Sequence, residues 1–266
     1  MVPALARVTL FPIKSLDGVT VDRARLTPAG ALAGDREFAL VDAAGQVINA
    51  KRNAAIQRIR ATFDLAQRTV SLSVQNASAA PATFGLDGDR SALAAWFSDY
   101  FGQPVTIVQN PASGFPDDRA AWGPTVISTG TLTQVARWFA EISIGELRDR
   151  LRTNLEIDGV EPFWEERLYD QRDRPVAFQI GSVAFWGINP CQRCIVPTRD
   201  SRTGDPTPNF QTVFIAQRQR TLPPWAERSR FNHFYRLAVN TQVPSIDPAA
   251  ADRRLAVGDR LILANC

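Results

Sequence analysis

Cysteine and histidine are scarce in this chain of 266 residues, with three cysteines at positions 191, 194 and 266 and a single histidine, His233. An odd, small set of thiols does not make the disulfide framework of a secreted domain, so a reducing compartment, the cytoplasm, is the expected location. Four nitrogen or sulfur ligands for a zinc ribbon are out of reach, and so is an iron–sulfur centre of the chain's own. No run of about 18 apolar residues appears, and the first residues carry neither a secretory nor an Arg-rich leader pattern, so no membrane span is expected. The formal net charge is only +3. Arginines alternate with acids instead of forming a stripe, which speaks against nucleic-acid binding and leaves anionic small ligands open. Lysine is rarer still, confined to Lys14 and Lys51 among 30 cationic residues. A preference for arginine codons accounts for that. So does a need for a compact, three-donor ammonium at those two places.

What is present is a chain with enough apolar content for one large domain or two closely packed ones. Residues 7–11, 19–26, 37–41, 57–63 and 69–74 alternate β-branched or apolar side chains with polar ones, predicting short strands of a barrel-like or sandwich unit. Asp42-Ala-Ala-Gly45 predicts a hairpin between Val41 and Val47. From Ser91 the period becomes helical through Leu93, Trp96, Phe97, Tyr100 and Phe101, with Ser91 as the expected cap and Gly102 as the stop. The breaker-rich stretch 111–119 reads as a connection. Beyond it, 125–128 predicts a strand leading into a helix with Leu132, Val135, Ala136 and Phe139 on one face. Ser143 and Glu146 have capping-box spacing for a second helix. Strand-like segments return at 155–157, 176–180, 182–185, 237–239 and 261–263.

The chemistry concentrates at Cys191-Gln-Arg-Cys194. A thioredoxin-type pair would open a helix, and Pro197 stands where that helix would run. One reading that remains is a soft thiolate for a soft or high-valent metal, with Arg193 beside it to stabilise negative charge. The other is a pair of small buried hydrophobes, the usual state of free cysteine. Thr198, Asp200, Thr203 and Gly204 place more hydrogen-bonding groups around the thiols than a plain core strand needs.

The segment Cys191-Gln-Arg-Cys-Ile-Val-Pro-Thr-Arg-Asp-Ser-Arg-Thr-Gly204 resembles the C-x-R-C-x-x-T-x-x-D-x-x-T-G signature of MOSC-domain proteins, with Pro197 where the family's threonine sometimes sits. Phe11-Pro-Ile-Lys-Ser15 with Gly18, Gly34-Asp-Arg36, Ile127–Leu132, Leu151-Arg-Thr-Asn-Leu155 and Val257-Gly-Asp259 are similar to further family segments in the same order. The resemblance is to the two-part members with an N-terminal β-barrel, among them the bacterial and mitochondrial amidoxime-reducing proteins.

The resemblance implies a mostly β (α+β) fold: an N-terminal β-barrel domain over residues 1–110 packed on a MOSC β-barrel domain with a few helices over residues 111–266. It implies a molybdenum–molybdopterin cofactor, in plain or nucleotide form, with Cys194 as metal ligand and catalytic residue. Cofactor contacts are expected from Lys14, Ser15, Arg36, Lys51, Ser128, Thr129, Arg152, Asn154, Gln192 and Arg193. Arg52 is an equal candidate to Lys51, and His233 a candidate partner of substrate. Cations and rigid donors at these positions suit a phosphate- and carbonyl-bearing cofactor. The implied activity is reduction of N-hydroxylated compounds, with electrons from a separate flavin or iron–sulfur protein. A non-catalytic cofactor carrier and a sulfur-transfer protein using a persulfide are the alternatives.

Overall fold

A computed structural model describes residues 2–118, 121–244 and 253–264. Cys266 lies outside them. In the first half the elements are β1 (Ala4–Leu10), β2 (Val19–Val21), β3 (Arg23–Arg25), β4 (Phe38–Asp42), β5 (Ile59–Asp64), β6 (Thr69–Val74), β7 (Ala82–Gly85), α1 (Arg90–Phe101) and β8 (Val105–Gln109). The second half contains β9 (Val126–Ser128), α2 (Thr129–Ala136), α3 (Ile144–Leu151), β10 (Leu155–Asp158), β11 (Val176–Ile180), β12 (Val183–Gln192), α4 (Phe210–Thr221), β13 (Arg236–Gln242), β14 (Arg254–Ala256) and β15 (Leu261–Leu263). With 33% strand against 22% helix, the fold is mostly β, as expected.

One sheet of eight strands, in the order β15-β11-β12-β13-β9-β10-β1-β2, organises the molecule. The first strand of the chain is built into it, because β1 pairs antiparallel with β10 through Leu5↔Ile157 and Val8↔Leu155. Its inward side chains Leu5 and Val8 join Phe178, Phe185 and Val239 in one core. A second core, with Phe38, Ile56, Ile59 and Phe97, fills the space between β4–β8, the β5-β6-β7 meander and α1. A third, with Leu132, Leu147, Phe210 and Phe214, lies under α2, α3 and α4. The arrangement buries three apolar layers and leaves polar loops to meet between them.

Local signals mostly hold, and the departures have physical reasons. Gly102 ends α1 in the left-handed conformation, and the Ser143 side chain accepts from the Glu146 N–H at the start of α3. The cap of α1 is Asp89 rather than Ser91, and its carboxylate accepts from Gly85 N–H instead of from the helix. The predicted strand 19–26 is split, because β2 pairs with β1 while β3 pairs with β14. Helix α4 had no sequence signal: its buried positions are Phe210, Phe214 and Arg218. A stripe at i, i+4, i+8 whose third member is arginine does not read as amphipathic.

Candidate functional site

The cysteine segment sits at the end of the longest strand. β12 runs antiparallel to β13 with register shifts between Gly187 and Asn189 and between Pro190 and Gln192, and such irregularities bend a strand and re-aim its side chains. Past Gln192 the chain enters a loop that the signature residues build. Pro197 lies in the first turn of the 3-10 segment Val196–Thr198, where a missing N–H costs nothing. The Thr198 hydroxyl donates to Ile195 O at 2.7 Å, and Asp200 Oδ1 accepts from the N–H of Arg202 and Thr203 at 2.9 and 2.8 Å. Gly204, at φ +79°, packs so closely that a Cβ would lie 2.7 Å from Ala54 O. Arg199 donates to Ala50 O at 2.7 Å and Gln57 to Asp200 O at 3.2 Å, so the loop is clamped onto the first half of the chain. Buried Arg150 holds it from below through Glu146 and Thr207.

A cleft of about 1110 Å³ opens beside this loop, and Lys14, Ser15, Arg36, Lys51, Arg152, Asn154, Gln192, Arg193 and Cys194 all line it. Residues spread over 180 positions of sequence are thereby gathered into one concavity, the ordinary setting of a small-ligand site. Ser128 and Thr129 are not in the lining. Ser128 is fully buried and caps α2 through Thr131 N–H, while the Thr129 hydroxyl donates to Glu156 Oε1 at 2.9 Å. Their hydroxyls are engaged within the fold. Asn154 lines it but is committed to the fold: its amide donates to Thr9 O at 3.1 Å and its oxygen accepts from Thr125 N–H at 3.2 Å. Arg52 is exposed and bonded to Gln46. His233 accepts from Tyr235 N–H at 3.3 Å and does not line the cleft.

The cationic end is built under strain. Ser15, Arg36 and Arg152 all adopt positive φ, at 72°, 49° and 53°, a conformation L-residues take only where the surroundings enforce it. Arg36 and Arg152 lie over the Phe11 ring, 5.0 and 4.1 Å from its centroid. Burial, then the nearby Arg36 charge, pulls the Arg152 guanidinium down to about 10, and its Nη2 has no acceptor. Arg193 is similar: Nη2 donates to Leu151 O at 2.5 Å while Nε is buried without a partner.

Sequence reasoning missed Asp117. Lys14 Nζ donates to its Oδ1 at 2.7 Å and to Phe115 O at 2.8 Å, and Lys51 Nζ lies 3.3 Å from the same oxygen. Burial alone would raise the Asp117 carboxyl, but Lys14, Lys51 and Arg36 hold it well below its ordinary value. Lys14 itself is lowered, first by burial and then by Arg36 and Lys51 against the pull of Asp117. A carboxylate of the chain thus occupies the two lysines. Asp117→Asn is expected to tighten binding of inorganic pyrophosphate to the cofactor-free protein by about threefold to tenfold, read by calorimetry, because it removes a resident competitor. Unchanged affinity would show that Asp117 does not compete.

The two described thiols differ. Cys191 is buried, donates to Asn240 Oδ1 at 2.6 Å, and is pushed up to about 11 chiefly by burial. Cys194 is partly exposed. Since the thiolate is the reactive form, iodoacetamide at pH 8 should label Cys194 at least about tenfold faster than Cys191, as peptide mapping would show. Equal labelling would mean that the buried strand opens readily.

Two domain models match the chain. The MOSC N-terminal beta barrel domain model matches residues 2–104, and the MOSC domain model matches residues 125–261. Molybdenum cofactor sulfurase of Drosophila mojavensis is 29% identical over 247 residues, covering 82% of this chain and 30% of that protein. The human protein of the same name is 22% identical, covering 73% of this chain and 26% of its own length. The chain therefore spans less than a third of these relatives. Among solved structures, the YUAD protein from Bacillus subtilis aligns over 97% of this chain and 94% of its own at 11% identity and a TM-score of 0.39. With the two domain models together matching most of its length, the chain belongs to the MOSC family and carries the MOSC N-terminal β-barrel domain.

Proposed function

We propose that this protein is a molybdenum–molybdopterin-binding oxidoreductase that removes the hydroxyl oxygen of N-hydroxylated compounds, amidoximes and hydroxylamines, leaving amidines and amines. The observation that carries the reading is one cleft shared by the partly exposed Cys194 thiol and the Lys14, Arg36 and Arg152 cations. The names of the molybdenum cofactor sulfurase relatives support the cofactor class.

The donor set fits such a group. Among the described residues no three His, Cys, Asp or Glu side chains come together to hold a metal, which suits a metal delivered on an organic ligand and completed by one protein thiolate, Cys194. Lys14, Ser15 and Arg36 would hold the phosphate, with Lys14 as a compact charge and Arg36 as a fork. Arg152 Nη2 and Arg193 Nε are buried donors without an acceptor, and an oxygen-rich anionic ligand would satisfy them. Lys51 reaches the same end, and Gln192 offers an amide on the cysteine side. When bound, the cofactor supplies the two-electron redox chemistry. The chain's own part is to hold it and seat the substrate. Electrons come from a separate flavin or iron–sulfur protein, and free thiols fit a cytoplasmic setting.

Protein made in a cofactor-competent host should carry stoichiometric molybdenum and reduce benzamidoxime with reduced viologen. Cys194→Ser should fold, lose most of the metal and lose turnover. Full metal and activity in that variant would refute the assignment of Cys194. The relatives' name favours a second reading, a cofactor carrier or sulfur-transfer protein. Full occupancy without turnover supports the carrier, and a persulfide detected on Cys194 supports sulfur transfer.

A further inference from the structure

The cleft's cations are unequally matched. At the Lys14 end, Asp117 and Asp35 neutralise Lys14, Lys51 and Arg36. Another wall of the same cleft is formed by Arg172, Arg174, Ser229, Arg230, Asn232 and Arg236. Asp173 and Asp118 are acids of the same lining, and Asp118 accepts from Asn240. Among the described residues, none of the wall's four arginines forms an ion pair.

Arg236 is the anchor of this wall. It sits on β13 opposite Gln192 of the cysteine segment, so the wall adjoins the proposed metal ligand. Its Nη1 donates to Pro190 O at 3.1 Å and its Nη2 to Asn232 Oδ1 at 2.8 Å, which fixes the guanidinium plane, while Nε is buried with no acceptor. Burial first and Arg230 second lower its proton affinity. Arg230 is placed by one bond, Nη1 to Asp170 O at 3.3 Å. Glu227 is close enough to Arg230 to feel its charge but forms no ion pair with it among the described residues, so the two guanidinium groups keep donors open to the cleft, and an Arg fork binds planar oxyanions with charge-assisted pairs.

We propose that the Arg230–Arg236 wall is a second anion subsite, which takes an oxyanion group, a carboxylate or phosphate, carried by the small substrate. This rests on the reductase reading for the word substrate, and on the geometry of the cleft for the subsite. The substrate is then an N-hydroxylated compound bearing an acidic group, and neutral amidoximes bind less well. The same chemistry would be offered by the phosphate of a nucleotide form of the cofactor, so the test must separate the two sources.

Calorimetry on the cofactor-free protein with benzamidoxime, 4-carboxybenzamidoxime and cytidine 5′-monophosphate does so. The carboxylated compound should bind at least about tenfold tighter than the neutral one, as expected for an oriented charge-assisted pair. Arg230→Gln and Arg236→Gln should each erase most of that difference, while Lys14→Met leaves it. Arg230→Gln, which loses one backbone contact, guards against a folding defect in Arg236→Gln. In loaded protein, Arg230→Gln should raise KM for the carboxylated compound with little change in kcat, and leave KM for benzamidoxime alone. Equal affinity of the two amidoximes for the unaltered protein overturns the subsite. Loss of nucleotide binding in Arg230→Gln, with the amidoxime difference intact, overturns the assignment to substrate. If loaded protein turns over neither amidoxime but the calorimetric difference holds and follows Arg230, the reductase reading fails and the subsite stands.

Discussion

Gly187→Ala should yield almost no folded protein. A Cβ at this position would lie 1.6 Å from Leu168 O and 2.7 Å from Leu168 C, both backbone atoms, so no side-chain rotation relieves the clash. Leu168 is fully buried and ends the 3-10 turn Trp164–Leu168 that packs on β12. Either the turn or the strand must move, at a cost of more than about 4 kcal/mol, beyond the usual range for overpacking one methyl. The loss would reach the cleft, since the first of the two register shifts on the way to Cys191 and Gln192 begins at Gly187. Gly88→Ala is the control, because a Cβ there meets nothing within 4 Å. A urea midpoint for Gly187→Ala within error of that control would sink the prediction.

The difference between these two glycines is invisible in sequence, and the same holds for much of the site. Period-two patterning announced β6 and most of the sheet because half of each strand faces a core, and capping chemistry announced α3 because Ser143 acts within one turn. The cysteine segment and the Lys14, Arg36 and Arg152 positions were legible from motif order alone. Their meeting was not, since it depends on β1 joining β10 across most of the chain. Ser128 and Thr129 stood in a matching segment, yet side-chain direction at a strand–helix junction sends Ser128 into the core and turns the Thr129 hydroxyl to Glu156. Asp117 was hidden for the opposite reason. Its breaker-rich neighbourhood read as a mere connection, and only tertiary structure lays that connection across two lysines.

Arg218→Met should destabilise the protein by about 3–5 kcal/mol, the cost of breaking a buried ion pair by removing one partner, or roughly 10 °C in melting temperature for a chain of this size. Arg218 is fully buried, donates to Glu166, and lies 4.3 Å from the Phe163 ring centroid. Glu166 is 2% exposed, with Glu165 beside it at 1%, so the variant leaves two carboxyl groups in the core without a cation. Burial already raises the Glu166 carboxyl, and Arg218 is what opposes that rise. Without Arg218 the folded state binds the Glu166 proton still more tightly than the unfolded chain does. Its stability therefore falls as pH rises from the ordinary carboxyl value toward the folded one. The deficit should accordingly be smaller at pH 5 than at pH 8. Adding Glu166→Leu should restore most of the loss, because an apolar pair of similar volume carries no desolvation penalty. A single variant as stable as the unaltered protein at pH 8, or a double variant no better than the single, would show that helix α4 is held by its Phe210 and Phe214 packing and not by the charge beneath it.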